Sequence, residues 1–128
     1  EGQMITGKTS TGDVLRALHE MGPSVVALTQ DKDGAAVSRA GEVALCGGID
    51  VPVIDPTGAG DTFAAALVVA LQREMPLADM ALFCNCAGTL VVTKRGAIGQ
   101  AIPTLDAVNA LMAQKPCRVK IVPLRDLD

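Results

Sequence analysis

One short stretch, Asp55-Pro-Thr-Gly-Ala-Gly-Asp61-Thr-Phe63, combines three nearly side-chain-free residues with a carboxylate directly after them. Gly58, Ala59 and Gly60 leave their backbone N–H groups open to close approach by an anion. A helix beginning here would add the partial positive charge of its N-terminus at the same place. There Asp61 would stay charged and could accept a proton from an alcohol, while the amides stabilise charge on a transferring phosphoryl group. The alternative is structural, an aspartate that caps a buried helix, and the residues alone favour neither reading.

A second phosphate-like pattern opens the chain, where Gly2-x-x-x-x-Gly7-Lys8-Thr9 matches the P-loop motif. That motif needs a buried strand before the loop and a helix that starts at its lysine. Only Glu1 precedes the pattern, and the capping sequence at Ser10 places the helix start too late. We therefore expect a polar turn before a helix here.

Composition narrows the classes of partner. The chain has 128 residues, a formal net charge of −3 and two aromatic residues, Phe63 and Phe83. Scattered charges and so few aromatics argue against a nucleic-acid surface. The longest unbroken apolar run, Phe63–Leu71, is too short to span a bilayer. We expect a cytoplasmic protein with a small-molecule partner, no nucleic acid and no membrane; its oligomeric state stays open, a homo-oligomer included.

The four cysteines lack the spacing of a zinc site. Cys84 and Cys86 lie two residues apart in a helical pattern, so they point to different faces of the helix. Reduced, buried thiols are the favoured interpretation for these two and for Cys46 and Cys117.

The elements that must position the glycine loop follow from hydrophobic periodicity and capping signals. The predicted strands are a buried strand Val25–Thr29, its hairpin partner Ala35–Ser38, and the short strands Val43–Leu45 and Val51–Ile54. The predicted helices are Ser10 to about Met21, with Val14, Leu15, Leu18 and Met21 on one face; Thr62 to about Arg73, buried on most faces; Leu77 to about Val92; and one capped by Thr104 that ends near Met112. Strands followed mostly by helices indicate part of an α/β sandwich.

The glycine loop resembles the signature of the ribokinase-like sugar kinases, the PfkB carbohydrate kinase family. The likeness runs from Glu1 to about Met112 and includes VVALT and the segment CNCAGTLVVTKRGA, Cys84 to Ala97, in the family's order. It implies that residues 1–128 form the C-terminal nucleotide-binding portion of a ribokinase-like, three-layer α/β/α (Rossmann-like) sandwich. It also implies an ATP-dependent carbohydrate kinase.

By this resemblance, Asp61 is the catalytic base that deprotonates the acceptor hydroxyl of a sugar-like small molecule. Gly58, Ala59 and Gly60 form the anion hole around the γ-phosphate of MgATP. Positioning and electrostatics then carry the rate of phosphoryl transfer.

The family's nucleotide loop, Thr-x-Gly-x-x-Gly, falls on residues 29–34. The resemblance assigns nucleotide contacts to Thr29, Gln30, Asp31, Gly34 and Gly60, with Asn85 on the adenine side. Asp31 stands where the family has glycine, and a solvated carboxylate there would repel nucleotide phosphates by about 1 kcal/mol.

Two metal sites are implied. Glu1 matches the glutamate of an Asn-x-x-Glu motif that helps to organise Mg²⁺. A monovalent-cation site, occupied by K⁺, would stiffen the anion hole and draws on Asp55, Thr57, Val91, Lys94, Gly96 and Gln100.

The family's sugar-binding residues and lid lie mostly in an N-terminal half that this sequence does not contain. We therefore expect the 128-residue chain to lack kinase activity alone. A non-catalytic nucleotide-binding or interaction module derived from such a kinase is the alternative. The sequence does not identify the acceptor.

Overall fold

The computed structural model describes residues 1–96 and 98–128; Ala97, the last residue of the CNCAGTLVVTKRGA segment, lies outside the described residues. The helices are α1 (Gly2–Thr6), α2 (Thr11–Glu20), α3 (Ala59–Gln72), α4 (Leu77–Val91) and α5 (Leu105–Ala113). The strands are β1 (Val25–Thr29), β2 (Ala35–Arg39), β3 (Glu42–Cys46) and β4 (Val119–Pro123). Single 3₁₀ turns occupy Asp31–Asp33, Gly99–Ala101 and Leu124–Asp126.

The four strands form one antiparallel sheet in the order β1-β2-β3-β4. β1 and β2 are joined by the 3₁₀ turn, while β2 and β3 are joined by Ala40 and Gly41, both with positive φ. This pair of backbone angles is typical of a tight hairpin turn.

Side chains alternate between two cores on opposite faces of the sheet. On one face Val37, Ala44 and Cys46 pack against residues of α3, α4 and α5. On the other face Val26, Ala36 and Val43 pack against Leu15 of α2. The layering is therefore helix, sheet, helix, as the family resemblance implied.

Two predicted helix starts are confirmed at the level of single hydrogen bonds. The Ser10 side chain accepts the Asp13 N–H at 3.2 Å, and the Thr104 side chain accepts the Ala107 N–H at 3.1 Å. Both satisfy an N–H that the first helical turn leaves without a partner.

The predicted strand Val51–Ile54 is wrong. The N–H groups of Ile54 and Asp55 both donate to the Val92 carbonyl, at 2.8 and 3.1 Å, so they bond to the end of α4 instead of to a strand. The helix after the glycine loop also begins at Ala59, three residues before the predicted Thr62.

Three burial expectations are wrong as well. Of the residues in α3 only Phe63, Ala66 and Ala70 are buried, and Val68 is 56% exposed. β1 pairs on one side only within the described part of the chain, and the one buried residue in this strand is Val26. Met21, expected on the inner face of α2, is also exposed.

The P-loop-like stretch forms α1, neither an anion loop nor the polar turn that the sequence analysis expected. Its amides close the helical turn: the Ile5 N–H donates to the Glu1 carbonyl, and the Gly7 N–H donates to the Gln3 carbonyl. Those amides cannot wrap a phosphate at the same time, which removes the structural basis of the P-loop alternative.

None of the described helices is both long and apolar enough to cross a membrane.

Candidate active site

A cavity of about 450 Å³ lies where the loop after β1, the segment after β3, the first turn of α3 and the middle of α4 meet. We call residues 29–34 with Gly48 the loop wall, and residues 55–63 the helix wall. The lining residues are Thr29, Asp31, Lys32, Gly34, Gly48, Ile49, Asp50, Val51, Val53, Pro56, Ala59, Gly60, Phe63, Asn85, Gly88, Thr89 and Val92.

The helix wall presents free backbone amides. Gly58 caps α3 in the left-handed conformation, with φ of 86°, and its carbonyl accepts the first helical hydrogen bond from the Thr62 N–H. The N–H groups of Ala59, Gly60 and Asp61 therefore precede the helical ladder, and none has a recorded acceptor among the described residues. A Cβ built on Gly60 would meet no atom within 4 Å, so there is open space beside this residue. The first turn of the 14-residue α3 can accept an anion there.

Asp61 is an exposed residue in the first turn of α3 and does not line the cavity itself. Because Gly58 is the N-cap, the carboxylate of Asp61 is not needed to cap the helix. No hydrogen bond or ion pair involving this side chain is recorded in the described part of the chain. An uncommitted carboxylate beside free amides is suited to accept a proton from a bound hydroxyl.

Two contacts fix the helix wall in place. α4 approaches α3 closely at Gly88, where a Cβ would lie 3.2 Å from the Ala59 carbonyl oxygen and 3.6 Å from the Phe63 Cβ. Asp55 supplies the second contact, because its Oδ1 accepts the Thr57 N–H at 3.0 Å and its Oδ2 accepts the Gly96 N–H at 2.9 Å.

The same hydrogen bonds keep Asp55 ionised. A hydrogen bond from the Thr57 side chain, together with the backbone N–H groups of Thr57 and Gly96, lowers the pKa of Asp55 to about 2. Hydrogen bonds of this kind favour the charged form of a carboxyl group. Asp55 is thus a permanent negative charge at the start of the helix wall.

The loop wall is shaped by two close backbone contacts. A Cβ on Gly34 would collide with the Cys46 carbonyl oxygen, and one on Gly48 would collide with the Lys32 carbonyl oxygen. Gly34 also has φ of 105° and ψ of −139°, a conformation that essentially only glycine adopts. Glycine is therefore required at Gly34 and at Gly48, one residue in each contact. The sequence analysis identified Gly34 but missed Gly48, whose only signal was the pair Gly47-Gly48.

Of the residues assigned to the nucleotide loop, Thr29, Asp31 and Gly34 line the cavity, together with Gly60. Gln30 does not, because its side chain donates to the Thr11 hydroxyl at 2.9 Å and ties the loop to α2. Asp31 is exposed and adopts φ of 49°, so it keeps a left-handed backbone without being glycine.

Asn85 is a buried residue of α4 that reaches the cavity. Its Nδ2 donates to the Gly47 carbonyl at 2.9 Å and to the Cys117 Sγ at 3.7 Å. Since the Gly47 oxygen can only accept, the nitrogen must be on that side, and Oδ1 is left on the other. Every fully buried side-chain polar atom in the described residues has a hydrogen-bond partner. No partner is recorded for Asn85 Oδ1, so this oxygen is not fully buried and solvent can reach it.

The residues assigned to metal sites fall into two groups. Asp55, Thr57 and Gly96 are joined by hydrogen bonds, and at the end of α4 the Lys94 N–H donates to the Val91 carbonyl at 3.4 Å. Glu1 and Gln100 do not line the cavity: Glu1 precedes α1, which packs on α2, and Gln100 lies in the 3₁₀ turn before α5. No group of three or more His, Cys, Asp or Glu suited to a metal ion is found in residues 1–96 and 98–128.

The free cysteines include three that are buried, Cys46, Cys84 and Cys86, as expected, while Cys117 is half-buried. Burial raises the pKa of each buried thiol to about 12. They are therefore protonated core residues without nucleophilic character near neutral pH.

Comparison with known proteins identifies the family of the chain. The sequence profile of the pfkB family carbohydrate kinases matches residues 1–105. The chain belongs to this family. The bifunctional protein HldE of Helicobacter pylori (strain G27) is 33% identical over 114 residues, which cover 89% of this chain and 23% of that protein.

Two solved structures with sequence identities of 30% and 28% to this chain have the same fold. The fructokinase of Vibrio cholerae O395, in a form with fructose, ADP and calcium ion bound, is 30% identical with a TM-score of 0.74, over 86% of this chain and 37% of that one. Arabidopsis thaliana ribokinase, complexed with ribose and ATP, is 28% identical with a TM-score of 0.74, over 87% and 38%. The ribokinase-like α/β/α fold is thus confirmed. This chain spans less than two fifths of the length of each relative.

Proposed function

We propose that the chain is the nucleotide-binding portion of an ATP-dependent sugar kinase, which transfers the γ-phosphoryl group of ATP to a hydroxyl of a sugar or sugar-like molecule. The observation that carries the proposal is the set of free amides at Ala59, Gly60 and Asp61, which meet an uncommitted carboxylate in one helical turn. Anion binding and proton acceptance are the two functions that this reaction requires of a protein.

In this mechanism Asp61 takes the proton of the acceptor hydroxyl as the acceptor oxygen attacks the γ-phosphorus. The bond from that phosphorus to the bridging oxygen breaks, and ADP leaves. The amides of the α3 first turn, Ala59 and Gly60 among them, stabilise the negative charge on the transferring oxygens.

The remainder of the cavity suits the nucleoside. Asn85 offers Oδ1, an acceptor for the amino group of adenine, and its Nδ2 is held by Gly47 so that the amide cannot rotate freely. Thr29 adds a hydroxyl on the loop wall. Apolar side chains, Ile49, Val51 and Val92 among them, give the base a surface on which to pack.

Asp55 fits a monovalent cation better than Glu1 fits Mg²⁺. The Asp55 carboxylate is ionised, and its hydrogen bonds from Thr57 and Gly96 still leave lone pairs for a cation. When bound, such a cation would neutralise charge and stiffen the loop before Gly58. Glu1 remains a proposal for Mg²⁺, which would neutralise charge on the nucleotide phosphates.

The decisive test is Asp61→Asn in the intact protein, assayed for ATP-dependent phosphorylation across a panel of sugars. We expect kcat to fall by about 10²–10⁴, since proton acceptance is lost while the fold and nucleotide affinity are kept. Asp79→Asn, an acidic residue in the first turn of α4, is the matched control and should leave kcat unchanged. Near-normal turnover in the Asp61 variant would show that the base is another group.

The 128-residue chain alone should bind nucleotide without transferring phosphate, because none of its described residues is assigned to a pocket for the acceptor. Isothermal titration with ATP and a phosphorylation assay on the same sample separate the two properties. Sugar phosphorylation by the isolated chain would contradict this expectation. Binding with no activity in the intact protein would favour the non-catalytic module, for which the unusual Asp31 carboxylate in the cavity is the supporting observation.

A further inference from the structure

The first turn of α2 is bonded to two other parts of the chain. The Gly12 N–H donates to the backbone oxygen of Asp128 at 2.6 Å, and the neighbouring Thr11 hydroxyl accepts from the Gln30 Nε2 at 2.9 Å. We call residues 124–128, which follow β4 directly, the brace. One helical turn therefore joins the brace to the loop wall of the cavity, to which Gln30 belongs.

The brace fits closely against α2. Arg16 Nη1 donates to the carbonyl oxygens of Leu124 and Leu127, each at 2.7 Å. A Cβ on Gly12 would collide with the Leu127 carbonyl oxygen, so glycine is needed where the two backbones meet. Leu124 and Leu127 also pack against the core that contains Leu15. Hydrogen bonds and core packing together give the brace one defined position on the helix.

The first turn of α2 depends on partners outside the helix. The leading N–H groups of any helix lack an acceptor within the helix. In α2 the Ser10 side chain accepts the Asp13 N–H, and the brace accepts the Gly12 N–H. Thr11 and Gly12 are both poor helix formers, so their own propensities do little to keep this turn closed. We therefore expect the turn to open more often when the brace is loosened.

Gln30 is the residue at which the loop wall closes on itself. Its N–H donates to the Gly34 carbonyl at 2.8 Å, and its carbonyl accepts the Asp33 N–H at 2.9 Å. Gly34 and Asp31, the residue after Gln30, line the cavity. Within the described part of the chain, the bond to Thr11 is the one hydrogen bond recorded for the Gln30 side chain. The position of Gln30 relative to α2 thus sets the position of the residues that line the cavity.

We propose that Thr11 and the brace position the loop wall: the brace keeps the first turn of α2 closed, and Thr11 in that turn holds Gln30. We call the bond between Thr11 and Gln30 the tether. Thr11, Gln30 and the brace do not line the cavity, so they act on a ligand through the loop and not by touching it. The consequence for ATP binding rests on the proposed function, whereas the tether itself does not.

The first test measures the loop without a ligand. Hydrogen exchange followed by NMR reports on the Asp33 and Gly34 N–H groups, whose acceptors are the carbonyls of Gln30 and Asp31. Thr11→Val keeps the branched shape of the side chain and removes the acceptor, so both amides should exchange about fivefold faster. Thr11→Ser keeps a hydroxyl and should exchange as the unmodified chain does. Unchanged exchange in the Thr11→Val variant would overturn the proposal.

The same experiment distinguishes positioning from a general contribution to stability. Loss of the tether should accelerate exchange in the loop and leave the amides of the β2–β3 hairpin as they were. If the bond contributed only to overall stability, exchange in the hairpin would accelerate as well, with no preference for the loop. That outcome would also overturn the proposal.

Arg16→Met tests the brace, because it removes the guanidinium bonds to Leu124 and Leu127 and keeps an unbranched side chain over the core. We expect the loop amides to exchange faster in this variant, and the double variant with Thr11→Val to add little, since both changes act on one tether. Asp13→Asn is the matched control: it removes the ion pair with Arg16 but no bond to the brace, so exchange should not change. Equal acceleration in Asp13→Asn and Arg16→Met would overturn the role of the brace.

Calorimetry with ATP on the same proteins separates the tether from the proposed function. We expect ATP affinity to fall about threefold to tenfold in the Thr11→Val variant and to be restored in Thr11→Ser. Normal affinity in the Thr11→Val variant would overturn the role of the tether in binding. Absence of ATP binding by the unmodified chain would contradict the proposed function, and the exchange rates would then decide on the tether alone.

Discussion

The two walls of the cavity are built by different physical means. The loop wall is fixed by steric contact between backbones, at Gly34 against Cys46 and at Gly48 against Lys32. The helix wall is fixed by hydrogen bonds that backbone N–H groups donate to one carboxylate, Asp55, and by the close approach of Gly88 to Ala59, and it leaves open space at Gly60.

The loop wall therefore depends on the shape of its backbone, and the helix wall depends on charged and hydrogen-bonding groups. Steric contacts on the loop wall tolerate no added atom, so we expect substitutions there to act on stability. Free amides and carboxylates on the helix wall contribute little packing, so we expect substitutions there to act on ligand binding. The following predictions test that separation, from the largest effect to the smallest.

Gly34→Ala should destabilise the chain by about 3 kcal/mol or more, because the new Cβ collides with the Cys46 carbonyl in a conformation that alanine does not adopt. Thermal or urea unfolding measures the loss. Gly41→Ala is the matched control: its φ is also positive, at 80°, but no atom lies within 4 Å of its Cβ. That variant should lose only about 1–2 kcal/mol. Equal losses would show that the loop wall is not sterically fixed.

Gly60→Ala should do the opposite, weakening nucleotide binding without loss of stability. Alanine is favoured inside a helix by up to about 1 kcal/mol, and here its Cβ meets no protein atom. The same methyl group would occupy the space beside the free amide and cost about 1.5–3 kcal/mol of anion binding. Calorimetry with ATP and a melting curve without it give both quantities. Unchanged ATP affinity would show that the anion binds elsewhere.

Asp31→Asn should raise ATP affinity about fivefold, because it removes a repulsion of about 1 kcal/mol between a carboxylate and the nucleotide phosphates. Asparagine tolerates the left-handed backbone of this position, so stability should not change. Asp33→Asn in the same 3₁₀ turn is the control, since this residue does not line the cavity. A fall in affinity would mean that Asp31 makes a favourable contact with the ligand.

Asp55→Asn should change how the stability of the fold depends on pH under acidic conditions. The pKa of Asp55 is lowered to about 2 from its ordinary value of 3.8, so its contribution is complete above pH 3.8 and is lost as pH falls towards 2. Unfolding midpoints across this range should drop less steeply in the variant. Parallel curves would show that the hydrogen bonds to Thr57 and Gly96 do not stabilise the fold.

Local signals predicted much of the fold. Ser10 and Thr104 are capping residues whose effect lies within three residues, and both helices begin where expected. The hairpin residues 25–39 were also predictable, because strand alternation and a turn are local in sequence. Family resemblance supplied the rest of the fold assignment, and the cavity does bring together Thr29, Asp31, Gly34, Gly60 and Asn85.

The errors came from partners distant in sequence. Val51–Ile54 has strand-like residues, but its last amide bonds to Val92, 38 positions beyond Ile54. The start of α3 depends on the left-handed Gly58, which the apolar pattern of the helix does not encode. The contact between Gly48 and Lys32 leaves no local trace beyond a second glycine. Sequence patterns within one segment do not reveal contacts between residues that are far apart in the chain.

The link from Asp55 to Gly96 uses backbone N–H groups, as does the bond from Ile54 to Val92. Neither bond depends on which side chains occupy positions 92–95, whereas Gly96 has a positive φ of 85° that favours glycine. Evolution or design could therefore exchange those side chains widely, whereas adding or deleting one residue would move the Val92 carbonyl and the Gly96 N–H out of register with their partners. We expect the spacing of this segment to be under stricter constraint than its identity.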